Sequence, residues 1–213
     1  MSLSRVLARP AFRGLLFGQL VSIAGDRFNY LALVALLSAH AAARGESSAF
    51  LLSALAWAML GPSLVLSPWA GAVVDRLPLV RVLLVTDAAR ALVVAALPWT
   101  LVATGSLVPV FALVALAFAL NCFFLPARSA LPPHLVPEGT WSSANALLVF
   151  SGIVATVLGT ALGGPLVDRY GPGTALYLDA ATYGVSVLFL ATILFAGVEV
   201  RPPADAAAGP APG

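Results

Sequence analysis

The sequence predicts an all-α membrane protein with six transmembrane helices. Three observations carry that prediction. Hydrophobic residues make up 61% of the 213 residues and the mean hydropathy is +1.00, so a water-facing surface is out of reach for most of the chain. Charged residues are only 9%, and nearly all fall between six long apolar runs. Each run approaches or exceeds the roughly 20 residues that cross a hydrocarbon core at 1.5 Å per residue. The runs are also continuous, whereas barrel strands alternate in segments of about ten residues.

The first run covers about 13–39. Arg5, Arg9 and Arg13 precede it and look superficially like the start of a signal peptide. Such a peptide has an apolar stretch of only about 7–15 residues, so residues 1–12 are read as an N-terminal cytoplasmic segment and the run as a retained helix. This helix carries a polar stripe. Gln19, Ser22, Asp26, Asn29 and Tyr30 fall within an arc of roughly 100° on a 3.6-residue helix. Lipid rejects such a face, so it lines a cavity or a helix contact.

The second run, about 49–74, contains Gly61-Pro62 and Pro68, each able to open the backbone and kink the helix. The third, about 82–103, holds Asp87 and Arg90 and closes on Trp99. The fourth, about 108–128, ends in Pro126-Ala127-Arg128 and leads into a loop with Pro132, Pro133 and Pro137. Trp141 opens the fifth, about 141–167, as an interfacial anchor. Within it Ala155, Gly159 and Gly163 stand four apart on one face, a spacing that lets two backbones approach closely. The sixth covers about 172–197, so residues 13–198 read as one six-helix domain. Residues 199–213 are dominated by Pro, Ala and Gly and read as a disordered linker or tail.

Orientation follows from arginine, the only basic residue besides two histidines. With the N-terminus in the cytoplasm, Arg5, Arg9, Arg13, Arg76, Arg81, Arg128 and Arg201 lie at cytoplasmic ends, against Arg44 and Arg169 outside. Positive charge stays inside, which places both termini in the cytoplasm of a multi-pass protein of the cell (inner) membrane. The net charge of +2 has that cause, and no basic patch in a soluble segment supports nucleic-acid binding. Cys122 is the single cysteine, and neither His40 nor His134 has a partner at metal-ligand spacing, so no metal or cofactor is implied. Ser151-Gly152 lacks the preceding glycine of a serine nucleophile turn, which argues against an intramembrane protease.

The chain also echoes itself. Gly71 to Asp75-Arg76 ends the second run, and Gly164 to Asp168-Arg169 ends the fifth. In a six-helix chain these lie on opposite sides of the membrane, as a three-plus-three repeat of inverted topology produces.

Four segments together resemble the N-terminal half of a Major Facilitator Superfamily transporter, most similar to the branch of siderophore and macrolide exporters. They are Gly18 to Asp26; Gly71 to Arg81 with Asp87 and Arg90; Pro126 to Leu147; and Gly159 to Gly164 with the helix after it. The resemblance implies a gating loop at Gly71, Asp75, Arg76 and Arg81, with Arg128 near enough to meet Asp75. In the family this loop latches the two halves together, its aspartate near the positive end of a helix dipole. Pro78, Leu79 and Val80 depart from the family's pattern. The antiporter helix-packing motif is similarly matched from Ala155 through Gly159 and Gly163 to Gly164, with Thr160 where the family has proline.

The resemblance implies a secondary active transporter, a proton-coupled efflux permease for small amphipathic compounds, present here as one half. Its partners are then the lipid bilayer, a small-molecule substrate, a proton, and a missing C-terminal six-helix half or a second copy. A non-transporting six-helix membrane protein, or a half-permease needing a partner chain, is the alternative. Asp26 is the leading coupling candidate, because a carboxylate in mid-helix costs about 2.5–3.5 kcal/mol on insertion scales. A structural hydrogen bond or a pair with Arg27 is the other use it can have. Gln19, Asn29 and Tyr30 accompany it as candidate substrate contacts. Asp87 and Arg90, three apart, can pair with each other, or Arg90 can meet substrate. Asp179 either lines the cavity or bonds between helices.

Overall fold

The computed structural model describes residues 2–197. They form helices joined by short turns: α1 (Ser2–Leu7), α2 (Pro10–Arg44), α3 (Ser48–Val74), α4 (Leu79–Thr104), α5 (Val108–Ala130), α6 (Pro132–Leu135) and α7 (Trp141–Phe195). No strand occurs among the described residues. α2, α3, α5 and α7 are each long and apolar enough to cross a membrane. α4 carries Arg81, Asp87 and Arg90 and is not among those four. The expected tail, 199–213, lies outside the described residues.

Local chemistry sets the helix ends. Pro10 sits in the first turn of α2, where its missing N–H costs nothing. Gly45 ends α2 at φ 66° and donates its N–H to the Ala41 carbonyl, and Gly105 ends α4 in the same way at φ 61°. Pro62 and Pro68 lie inside α3, which continues through both. The N-terminal segment is itself helical and joins the bundle: Val6 and Phe12 are fully buried.

The sequence predicts two separate helices where α7 stands, about 141–167 and 172–197, and two are found, meeting at a single non-helical residue, Gly171, at φ 80° and ψ 161°. That conformation suits glycine alone, and Pro172 after it has no N–H to rejoin the ladder. Two arms result, 141–170 and 172–195. α2 fixes their relative direction. Gly14, Gly18 and Gly25 of α2 face Thr192, Ser186 and Thr182 in turn, so the second arm runs antiparallel to it. Gly152, Gly159 and Gly163 face Ile23, Ala24 and Leu31, so the first arm runs parallel. The arms therefore fold back on each other as a helical hairpin around α2.

The first arm touches α2 through the small residues singled out from sequence. Ala155, Gly159 and Gly163 are buried there. Gly164 is not part of that contact: a Cβ added to it meets nothing within 4 Å. One residue beyond Gly163, it is turned about 100° away from α2. A Cβ at Gly159 would sit 2.7 Å from the Ala24 carbonyl oxygen and 2.9 Å from its Cα. Backbone cannot rotate aside, so Gly159→Ala is expected to destabilise the protein by about 1–3 kcal/mol, as overpacking does. Gly164→Ala should be neutral or slightly stabilising through helix propensity. Thermal unfolding of the two variants in detergent checks both.

Apolar packing gathers in two clusters. One contains Phe12, Leu83, Phe124, Leu131, Leu190 and Ile193. The other contains Leu33, Leu37, Leu97, Val114, Leu176 and Val167. Along α2, α4 and the second arm of α7, the residues between these clusters are the buried polar ones: Gln19, Ser22, Thr86, Asp87, Arg90, Asp179 and Ser186. The outer surface is apolar, with Trp57, Trp69, Val102 and Leu188 all at least 70% exposed. Only a lipid solvent, or a further protein surface, accepts such a face.

Candidate functional site

The polar layer is built from α2, α4, α5 and the second arm of α7. Arg90 is its centre. On α4 it forms an ion pair with Asp87, one helical turn before it. Across the bundle it donates to Asn121 Oδ1 of α5 at 3.1 Å and to the Tyr183 hydroxyl of α7 at 3.5 Å. Its guanidinium also lies between two rings, 4.4 Å from the centroid of Phe124 and 4.5 Å from that of Tyr183. Ser186 Oγ donates to the second carboxylate oxygen of Asp87 at 2.6 Å. Asp87 is fully buried and Arg90 is 3% exposed, so this pair has no bulk water to support it.

A second carboxylate shares the layer. The Tyr183 hydroxyl donates to Asp26 Oδ1 of α2. A third, Asp179, accepts from Asn29 Nδ2 at 2.8 Å and from Thr182 Oγ1 at 3.2 Å. Asp87 thus has a guanidinium, while Asp26 and Asp179 are held by neutral donors.

Beside the layer lies a cavity of about 150 Å³. Asp26, Asn29, Tyr30, Arg90, Asn121 and Tyr183 supply its polar wall, and Met59, Val114 and Phe118 its apolar wall. A larger groove of about 460 Å³ runs between α2 and the first arm of α7 and shares Asp26 and Arg27 with the cavity. Gln19, Arg128 and Thr156 also line that groove.

The structure brings some of the sequence candidates together and separates others. Asp26, Asn29, Tyr30 and Arg90 meet at the cavity. Gln19 does not, being seven residues and about 10 Å farther along α2. It is 2% exposed and donates Nε2 to the Leu148 carbonyl at 2.8 Å, so the polar stripe is part cavity wall and part helix contact. Asp179 is fully buried behind Asn29 and does not line the cavity; its interhelical bonding is the reading that holds. Arg90 pairs with Asp87, as their spacing suggested, and it also lines the cavity. Trp57 is 70% exposed on the outer face.

In the loop after α3, Asp75 caps the helix end and is exposed, as is Arg76. The expected meeting of Arg128 with Asp75 does not occur, because no ion pair joins them among the described residues. Arg128 is turned into the groove while Asp75 points to the surface. Gly71 opens on a separate groove between α3 and α5, beside Ser63, Ser67 and Pro126. Arg81 stands in the first turns of α4.

Tyr183, Asn121 and Phe124 were not anticipated. A signal for Tyr183 exists, since Asp179, Tyr183 and Ser186 stand at i, i+4 and i+7 on one face of the sixth run. Asn121 is a lone amide in an apolar run and has no such pattern.

Long apolar helices around a buried charged layer and a cavity make this a multi-pass membrane protein. The Major Facilitator Superfamily family matches residues 15–212, and the chain belongs to that superfamily. The chain is 29% identical over 196 residues to the multidrug efflux pump Tap of Mycobacterium tuberculosis (strain ATCC 25618 / H37Rv), covering 88% of this chain and 45% of Tap. It is 26% identical over 190 residues to the MFS-type transporter YfiS of Bacillus subtilis (strain 168), covering 86% of this chain and 44% of YfiS. BacE of the same strain, named as a proposed bacilysin exporter, is 27% identical over 194 residues, covering 91% and 46%. The chain spans about half the length of the curated relatives it matches.

Proposed function

We propose that the chain forms one half of a secondary active transporter that exports small amphipathic compounds by alternating access, coupled to a proton. The observation that carries this reading is the layer of three carboxylates and Arg90 packed between apolar clusters and opening on a cavity. Buried ionisable groups in an apolar bundle are costly and mark solute or proton paths. Asp26 and Asp179 accept hydrogen bonds from neutral groups, so neither carboxylate is committed to an ion pair as Asp87 is. Asp26 also faces the cavity, which makes it the coupling residue of this reading.

Six crossings fit the helix lengths. The two arms of α7, 141–170 and 172–195, are roughly 45 Å and 36 Å long at 1.5 Å per residue, enough for each to be taken as one crossing of a roughly 30 Å hydrocarbon core. With α2 to α5 that makes six, arranged as a three-plus-three inverted repeat, with both termini cytoplasmic. The cavity supports the half-transporter reading. At about 150 Å³ it is smaller than the roughly 300–1,000 Å³ of drug-sized sites. A second six-helix unit, or a second copy, supplies the rest and gives the Asp75 loop its docking partner.

Inside-out vesicles containing the chain, alone and co-expressed with a C-terminal six-helix unit, test the reading. The neutral probe 2-naphthamide does not partition by pH. It should accumulate when the lumen is made acidic, above the level of empty vesicles. No gradient-dependent accumulation in either preparation would overturn the proposal.

A further inference from the structure

The charged groups around the cavity differ in one respect: which of them already has a partner. Asp26 is bonded to Tyr183, and Arg90 to Asp87, Asn121 and Tyr183. Arg27 is the exception. It lines both the cavity and the groove, and no hydrogen bond or ion pair among the described residues reaches its guanidinium. Its Nε, like that of Arg90, is buried without a partner, but the terminal nitrogens of Arg90 are bonded and those of Arg27 are left for an acceptor from a ligand.

The neighbourhood says what that ligand carries. Asp26 and Arg27 are adjacent on α2 and diverge by about 100°, so Asp26 reaches Tyr183 on the second arm of α7. Arg27 lies instead along the first arm, where its Cβ would be 3.0 Å from a Cβ on Gly159. The groove beyond it has a second guanidinium, Arg128, which has no ion pair among the described residues either. Its floor is apolar, formed by Ile23, Leu148, Ile153 and Val157. Two guanidiniums outside any ion pair, set against the single carboxylate of Asp26, leave the groove net positive over an apolar floor, which complements an amphipathic anion.

We propose that the cavity and adjoining groove select amphipathic anions, with Arg27 receiving the anionic group. The assignment rests on the reading of the cavity as a substrate site and names the substrate class it takes. Arg suits the role because its planar fork meets carboxylate or phosphate oxygens in pairs.

Equilibrium dialysis of the chain in phosphatidylcholine nanodiscs at pH 7, with empty nanodiscs subtracted, separates the two readings. Three probes share one ring system: 2-naphthoate, 2-naphthamide and 2-naphthylmethylammonium. The expected result is about 10- to 100-fold tighter binding of the acid than of the ammonium, the size of one hydrogen bond to a charged group. Arg27→Gln should bring the acid down to the level of the amide and leave the amide unchanged. Arg27→Lys should restore part of the preference, and melting temperature confirms that each variant is folded. Amide binding without acid preference overturns the assignment but leaves the cavity reading standing. So does an acid preference that survives Arg27→Gln. Binding of none of the probes overturns both. Loss of the acid preference when phosphatidylglycerol is added to the nanodiscs would assign the anion site to a lipid headgroup and overturn it too.

Discussion

Arg90→Leu is expected to destabilise the folded protein by about 3–5 kcal/mol, the cost of leaving one member of a buried ion pair without its partner. Asp87 is fully buried, and without Arg90 it keeps only the Ser186 hydroxyl at 2.6 Å. Two rings, Phe124 and Tyr183, lose the cation between them, and Asn121 loses a donor. Adding Asp87→Asn to the same chain removes the stranded charge while an amide can still accept from Ser186. The double variant should therefore recover most of the loss, since an ion pair replaced as a pair is often neutral in stability. Chemical unfolding in detergent of the wild type, both single variants and the double variant measures the coupling. Additive losses in the double variant would show that the pair is not the unit that holds α4 to α7.

The extent to which this architecture could be read from sequence follows from the physics of each signal. Apolar runs are long-range averages, and they located α2 to α5 and the two arms of α7, but not the short α1 and α6. The joint between those arms was less legible. Asp168-Arg169-Tyr170 has the composition of a loop, yet the helix continues through it and breaks only at Gly171, where the backbone turns at φ 80°. The α2 stripe was visible because polar groups in an apolar run are rare, and its periodicity gave the face. It could not say how far along that face the void extends, so Gln19 was grouped with Asp26 although one is a helix contact and the other a cavity wall. Small residues four apart gave the α2 contact but not its edge at Gly164. Pairings across helices were the least legible. Asp87 with Arg90 is local, and spacing alone found it. Arg90 with Asn121 and Tyr183, and Asn29 with Asp179, join residues far apart in the chain and depend on how the helices dock. Arg128, judged by the same kind of proximity, turned to the groove and left Asp75 at the surface.

Asp26→Asn is the substitution with the largest expected effect on transport. Asparagine has nearly the same shape as a protonated aspartate and can still accept from the Tyr183 hydroxyl, so the packing of α2 on α7 should survive. What it cannot do is release and rebind a proton, the step that the proposed alternating access requires of this site. A ligand or a proton shifts a two-state equilibrium only through its different affinity for the two states. An amide at position 26 fixes that difference at zero for this site. Accumulation of 2-naphthamide in inside-out vesicles driven by an acidic lumen should fall by on the order of 10- to 100-fold, the range of typical coupling free energies. Downhill exchange of the same probe without a gradient should persist, because the access path is intact. Tyr183→Phe supplies the contrast: it removes the donor to Asp26 but leaves the carboxylate, so gradient-driven accumulation should be weakened and not abolished. If Asp26→Asn retains full gradient-driven accumulation, the coupling proton binds elsewhere, and Asp179, held by Asn29 and Thr182, becomes the carboxylate to substitute next.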